Sequence, residues 1–334
     1  MSRGLLAALV ALAVAAGAIV LATSGDGDGD SFEGPPPSAG SRTERWVALR
    51  GSELARTEVA AARIGRFIYV VGGFEERSGG TTGALERYDV RRNRWSRRAS
   101  MPVGLNHPAA VAHRGKLYVH GGYTAERGLS GASARLYSYE PGRDRWRRLH
   151  DAPTRRAAHA LGALGGRIYA AGGANERGAL DTLEIYDLER RRWRRGPSLR
   201  TMPREHLAGA TAGRFFYVLG GRAAGRGNFT VAERYDPRQR RWQRLPDMRK
   251  ARGGIAAVRV GRRIVVFGGE ESAGTIAEVE IYDPRERRWS TLPRMRTPRH
   301  GLGGVSLGHR VYSIEGGPTP GFDFSKAIEA LDVR

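Results

Sequence analysis

One short pair of residues recurs through this chain at a nearly constant interval. Gly-Gly closes a short apolar run at Gly72-Gly73, Gly121-Gly122, Gly172-Gly173, Gly220-Gly221, Gly268-Gly269 and Gly316-Gly317, in steps of 49, 51, 48, 48 and 48 residues. The six tryptophans, Trp46, Trp95, Trp146, Trp193, Trp242 and Trp289, keep nearly the same period. Between the two marks stand Tyr88-Asp89, Tyr139-Glu140, Tyr186-Asp187, Tyr235-Asp236 and Tyr282-Asp283, with Leu331-Asp332 in the last copy. Self-similarity at a fixed period means that one small unit is repeated and that each copy buries its faces against its neighbours.

Within a unit, four short apolar runs are separated by turn residues, as in Ala208–Ala212, Phe215–Leu219, 232–235 and 242–245. Such runs suit a four-stranded antiparallel meander. The second run, such as Ile68-Tyr69-Val70-Val71, is apolar at consecutive positions, so both faces of that strand must be covered. The order Gly-Gly, Tyr-Asp, Trp resembles the kelch repeat over residues 44–334. That resemblance implies an all-β, six-bladed β-propeller of four-stranded blades. It says much about fold and little about function. The copies are out of phase with the chain: Trp46 precedes any Gly-Gly, and the last copy ends at Val333-Arg334 with no tryptophan. The spacing therefore predicts that Arg45 to Leu49 supplies the outer strand of the last blade and closes the ring.

Residues 1–24 read as a signal-anchor or signal peptide with a hydrophobic helix: Gly4 to Ala22 carries no charge and is long enough to span a bilayer core. Arg3 precedes this run and Asp26, Asp28 and Asp30 follow it, which predicts an exported C-terminal part. Ala22-Thr23-Ser24 offers small residues where a signal peptidase cuts, so both an uncleaved membrane anchor and a secreted form are open. Residues 25–43 are rich in Gly, Ser, Pro and Asp and read as a flexible tether. The chain holds no cysteine, which excludes disulfides, thiolate metal sites, lipoprotein acylation and a thioether-crosslinked radical cofactor.

The net charge is +22, almost all of it carried by arginine. Such a balance attracts polyanions in general, and it is also what GC-rich coding produces; no specific nucleic-acid motif accompanies it. The turns 91–94, 142–145, 189–192, 238–241 and 285–288 form a basic rim, either a lipid- or polymer-binding edge or a solvated edge that blocks aggregation. At the start of each copy stands Arg56, Asn106, Arg156, Arg204, Arg252 or Arg299. In the proteins this chain resembles, residues here ring the mouth of the central channel and can bind acidic peptides or small anions. The other reading of these arginines is that they bond loop carbonyls and join neighbouring blades. The eight histidines are scattered over different copies, with no ligand pair on one strand, so neither metal nor cofactor is expected. The expected function is that of an exported, membrane-tethered, monomeric binding scaffold for a protein segment or acidic ligand. The alternative is a carbohydrate-active enzyme resembling kelch-type sialic acid epimerases, with Glu58, Glu205, His206 and His300 as the available acid/base groups.

Overall fold

The computed structural model describes residues 45–334. The apolar segment, the tether and residue 44 lie outside the described residues. Among the described residues there is no helix, and six antiparallel sheets are each built on a four-strand meander, with three small sheets of two or three short strands beside them. The innermost strands are Ala60–Ile64, Ala109–His113, Ala160–Leu164, Ala208–Ala212, Gly253–Val260 and Gly303–Leu307. Each packs beside the next, and the last packs beside the first.

The second strands show why the apolar runs lack alternation. In Phe67–Val71, Ile68 and Val70 pack against Tyr312 and Ile328 of the last sheet, whereas Tyr69 and Val71 pack against Leu117 and Val119 of the following one. Each such side chain is worth about 1.5–3 kcal/mol of burial. After this strand the backbone meets its neighbour too closely for a side chain. A Cβ on Gly72 would lie 2.4 Å from the Leu105 carbonyl oxygen, and both glycines have positive φ. In the last sheet the pair is displaced by one residue from the expected Gly316-Gly317. Glu315 (φ 54°) stands in the first slot and Gly316 (φ 90°) in the second, because Gly316 N–H bonds Arg56 O as Gly73 N–H bonds Leu105 O.

Each tryptophan sits on an outer strand, or in the case of Trp46 directly before it, and ties its sheet to the preceding one. Trp95 Nε1–H donates to Arg50 O at 2.7 Å, Trp242 to Pro197 O at 2.8 Å and Trp289 to Pro246 O at 2.8 Å. Trp46, Trp95, Trp242 and Trp289 are buried, while Trp146 and Trp193 are half-buried. The aspartate after Tyr caps the next turn: Asp236 Oδ1 accepts from Arg238 N–H at 2.9 Å and Gln239 N–H at 3.3 Å.

The chain ends meet in one sheet. Val47–Ala48 pairs with Ile328–Asp332, Val47 opposite Ala330 and Ala48 opposite Glu329. The strand is shorter than Arg45 to Leu49, but Leu49 N–H still donates to Ile328 O at 2.9 Å and Trp46 Nε1–H to Pro293 O at 3.0 Å.

Between the second and third sheets, His120 Nδ1 and His159 Nε2 are 2.9 Å apart in a fully buried contact. Burial, with Arg156 nearby, pushes His120 down to about 3; burial, His120 and Arg156 push His159 well below its ordinary range. Both are neutral in the fold, whereas in the unfolded chain they take up a proton below about pH 6.5. Their contribution to stability is therefore complete above that pH and is lost as the pH falls towards 3, by up to ~1.4 kcal/mol per pH unit for each ring. Thermal melts are expected to show a falling melting temperature from about pH 7 to about pH 5, with a shallower slope in His120→Phe/His159→Leu. An equal slope in the two proteins would remove this pair as the cause.

Candidate functional site

The arginines at the start of each copy are internal. Arg56, Arg156, Arg204, Arg252 and Arg299 are all 0% exposed. Each pairs with a glutamate on the third strand of its own sheet: Glu86 (2.9 Å), Glu184 (3.0 Å), Glu233 (3.0 Å), Glu280 (2.8 Å) and Glu329 (3.2 Å). Each also donates to the carbonyl that ends the second strand, as Arg156 does to Gly172 O at 2.8 Å and Arg204 to Gly220 O at 2.8 Å. Arg56 further meets Glu315 of the last sheet at 3.0 Å, whose carboxyl burial lifts to about 7 against the pull of Arg56. Apart from the Arg56–Glu315 contact, these guanidinium groups bond within their own sheets, and none presents free charge to a ligand, so the positive funnel expected at the channel mouth is not formed by them.

In the second copy the structural counterpart of these arginines is Leu105, not Asn106. Leu105 O receives the Gly73 N–H, just as Arg156 O receives that of Gly122 and Arg204 O that of Gly173. Its partner slot on the third strand holds Tyr137, opposite Val119 as Glu86 is opposite Val70. Arg and Glu are thus lost together in that copy. The glutamate, always the second residue of the third strand where the arginine is present, was the sequence signal for the ion pair.

Two residues beyond each arginine the chain reaches the axis. Glu58, His107, Ala158, His206, Gly254 and Gly301 occupy equivalent places, all with φ between 50° and 70°. Their backbones form a circuit: His107 N–H to Glu58 O, Ala158 to His107 O, His206 to Ala158 O, Gly254 to His206 O, Gly301 to Gly254 O, and Val59 N–H to Gly301 O, all 2.8–3.1 Å. The left-handed conformation costs a non-glycine residue about 1 kcal/mol. The circuit narrows one end of a central cavity of about 130 Å³ that is otherwise lined by small residues such as Ala60, Ala109, Gly209 and Gly303.

Seven side chains from several copies of the repeat converge here. Glu58 Oε2 lies 3.0 Å from His107 Nε2, and Glu58 Oε1 lies 3.2 Å from His300 Nδ1. His206 Nδ1 is 2.8 Å from Glu205 Oε2. Arg222 spans the group, with Nε 3.1 Å from Glu205, Nη1 2.7 Å from Glu270 and Nη2 3.1 Å from His206 Nε2. Burial raises Glu58, but His107, His300 and His206 outweigh it and hold the carboxyl well below its usual range. Glu205 is pulled down to about 2, burial being outweighed by His206 and Arg222. His107 is pushed down to about 4 by burial despite Glu58. His300 goes the other way: burial lowers it, and Glu58 with Glu270 more than restores it. Carboxyl and imidazole groups shifted in opposite directions thus sit side by side in one cleft.

The cluster opens on the face that carries the loops between second and third strands. Both large hydrophobic residues that are exposed among the described residues, Leu129 (52%) and Phe322 (56%), stand in these loops. The Phe322 ring is 4.5 Å from that of Phe74, which in turn is 6.0 Å from His107. Exposed charges at the loop tips alternate in sign, as in Glu76-Arg77, Glu126-Arg127 and Glu176-Arg177. On the opposite face the turns 91–94, 142–145, 189–192, 238–241 and 285–288 are solvent-exposed.

A model of the KLHDC2/KLHL20/DRC7 Kelch-repeats domain matches residues 58–254, and one of the Kelch motif matches residues 251–296. The chain is similar to Kelch-like protein terF of Aspergillus terreus, 27% identical over 267 residues that cover 75% of this chain and 58% of that protein. It is also similar to Kelch-like protein 26 of Mus musculus, 34% identical over 145 residues, 42% of this chain and 23% of that one. The chain therefore spans about three fifths of the first relative's length and under a quarter of the second's. Among solved structures, that of YjhT superposes with a TM-score of 0.73 at 16% identity, covering 86% of this chain and 97% of its own. At that identity the likeness is one of fold.

Proposed function

Since the chain belongs to the kelch-repeat family, we propose that it is an exported six-bladed propeller, tethered to the cell membrane by its N-terminal segment, that binds a protein segment on its loop face. The observation that carries this reading is the placement of Leu129 and Phe322, the exposed large apolar side chains among the described residues, on the loop face onto which the polar cluster opens. Chain direction supports the orientation. Val47–Ala48 is an outer strand, and its N-terminal end lies on the face of the basic turns, as Arg94–Arg98 does after its own turn. A tether attached there holds the basic rim towards the membrane and leaves the loop face free. Lipid contact by the rim would weaken with salt.

The second reading is acid/base catalysis on a charged sugar. It is favoured by the convergence of Glu58, Glu205, His206 and His300, which the sequence offered as separate groups. The scaffold reading is tested by crosslinking the envelope-bound protein and its Leu129→Arg/Phe322→Arg variant. The variant should recover the wild type's partner at less than about a tenth of its yield with an unchanged melting temperature, a loss of more than 1.4 kcal/mol in binding. Equal yields would contradict the placement, and turnover of a charged sugar lost in Glu205→Gln would favour the enzyme.

A further inference from the structure

We propose that Glu58, His107 and His206 form a site for one divalent transition-metal ion of the zinc or cobalt type at the narrowed end of the channel. One ligand atom from each lies within 4.8 Å of the others, a spread that small side-chain rotations close around an ion with bonds of about 2.0–2.2 Å. Two imidazoles and a carboxylate, with no thiolate, suit such ions.

A separate observation fixes which imidazole atom faces the site. Thr81 Oγ1–H donates to Ala125 O at 2.6 Å, so the Thr81 oxygen must accept from Asn106 Nδ2 at 2.8 Å. Asn106 then turns its Oδ1 to His107 Nδ1, 2.7 Å away, and that nitrogen must be the donor. His107 Nε2 is left with its lone pair facing the Glu58 Oε2 lone pairs at 3.0 Å. Two acceptors at that distance repel unless a proton on Nε2 or a metal cation lies between them. His206 Nδ1 lies 2.8 Å from Glu205 Oε2, and the ring's other nitrogen, Nε2, is the one turned to the ion. Histidine ligands oriented by an oxygen on the far nitrogen are the usual outer shell of a metal centre.

Charge points the same way. Glu58, Glu205 and Glu270 face the single guanidinium of Arg222, so carboxylates outnumber the fixed positive charge by two. Coordination by His206 Nε2 displaces Arg222 Nη2, now at 3.1 Å, while Arg222 keeps both carboxylates. Glu58 and Glu205, 12% and 18% exposed, give the ion a path from the loop face. This inference holds whether the face serves a partner or a sugar.

The test uses the full, untagged chain after removal of metals with a chelator, titrated with zinc by calorimetry and with cobalt by visible absorption. The expected result is one ion per chain, visible cobalt bands from a low-symmetry nitrogen and oxygen site, and affinity reduced by about 100-fold or more in His206→Ala and Glu58→Gln. Asn106→Ala, which touches no ion, should weaken binding by roughly 10–100-fold by freeing the His107 ring, and Arg222→Met should strengthen it. Glu58→Gln keeps the side chain's shape and so keeps the test open should His206→Ala fail to fold. Absence of saturable binding at one ion per chain, or equal affinity in wild type and Glu58→Gln, would overturn the proposal.

Discussion

Arg204→Leu should destabilise the fold by about 3–5 kcal/mol, because it leaves Glu233 as an unpaired buried carboxylate. Both side chains are 0% exposed and 3.0 Å apart. Thr201 Oγ1–H, 2.8 Å from Glu233, is a neutral donor and cannot replace the guanidinium. The chain itself contains the compensating change: where the second copy lacks the arginine it has Leu105, and where it lacks the glutamate it has Tyr137, both buried. Arg204→Leu/Glu233→Tyr is therefore expected to regain most of the loss, since replacing a buried ion pair by apolar groups of similar volume is close to neutral. Denaturant unfolding of both single variants and the double variant measures this as a coupling energy. Losses that simply add would show that the five pairs do not act as units.

Removal of residues 45–50 should cost at least about 5 kcal/mol, a fall of about 10 °C or more in melting temperature. The deletion takes away Trp46, 3% exposed and packed 5.7 Å from the Phe267 ring, together with the pairing of Val47 and Ala48. It also bares the edge of Ile328–Asp332, whose free N–H and C=O groups invite pairing with another chain. Calorimetry and light scattering read the two consequences separately. A melting temperature equal to that of the intact chain would mean that the N-terminal strand contributes nothing to closure.

The repeat marks were legible in the sequence because each answers a local demand. Gly72 has no room for a Cβ, Asp236 caps its own turn, and Trp242 must reach the carbonyl of Pro197 in the sheet before it. Errors arose where one copy shifted by a residue. Asn106 stands where the other copies carry arginine in the letter pattern, but the second copy places its bonding carbonyl at Leu105. Likewise Gly316-Gly317 kept the letter pattern while Glu315 took the left-handed slot. The polar cluster was invisible for a different reason. His107 and His206 stand two copies apart and meet only because the sheets turn around a common axis, so no spacing along the chain could join them. Their shared place in the repeat, two residues past the ion-pair position of each copy or its equivalent, was the available clue.

The central claim is that the two ends of the described chain complete one sheet and so close the ring. Residue-resolved amide exchange tests it at Leu49 and Ser52, whose N–H groups donate to Ile328 O and Lys326 O, each at 2.9 Å. Exchange as slow as that of the buried second strands, accelerating only when the whole molecule unfolds, is the predicted result. Exchange of Leu49 and Ser52 at the rate of an exposed loop, with the second strands still protected, would show that the ring is open at this seam.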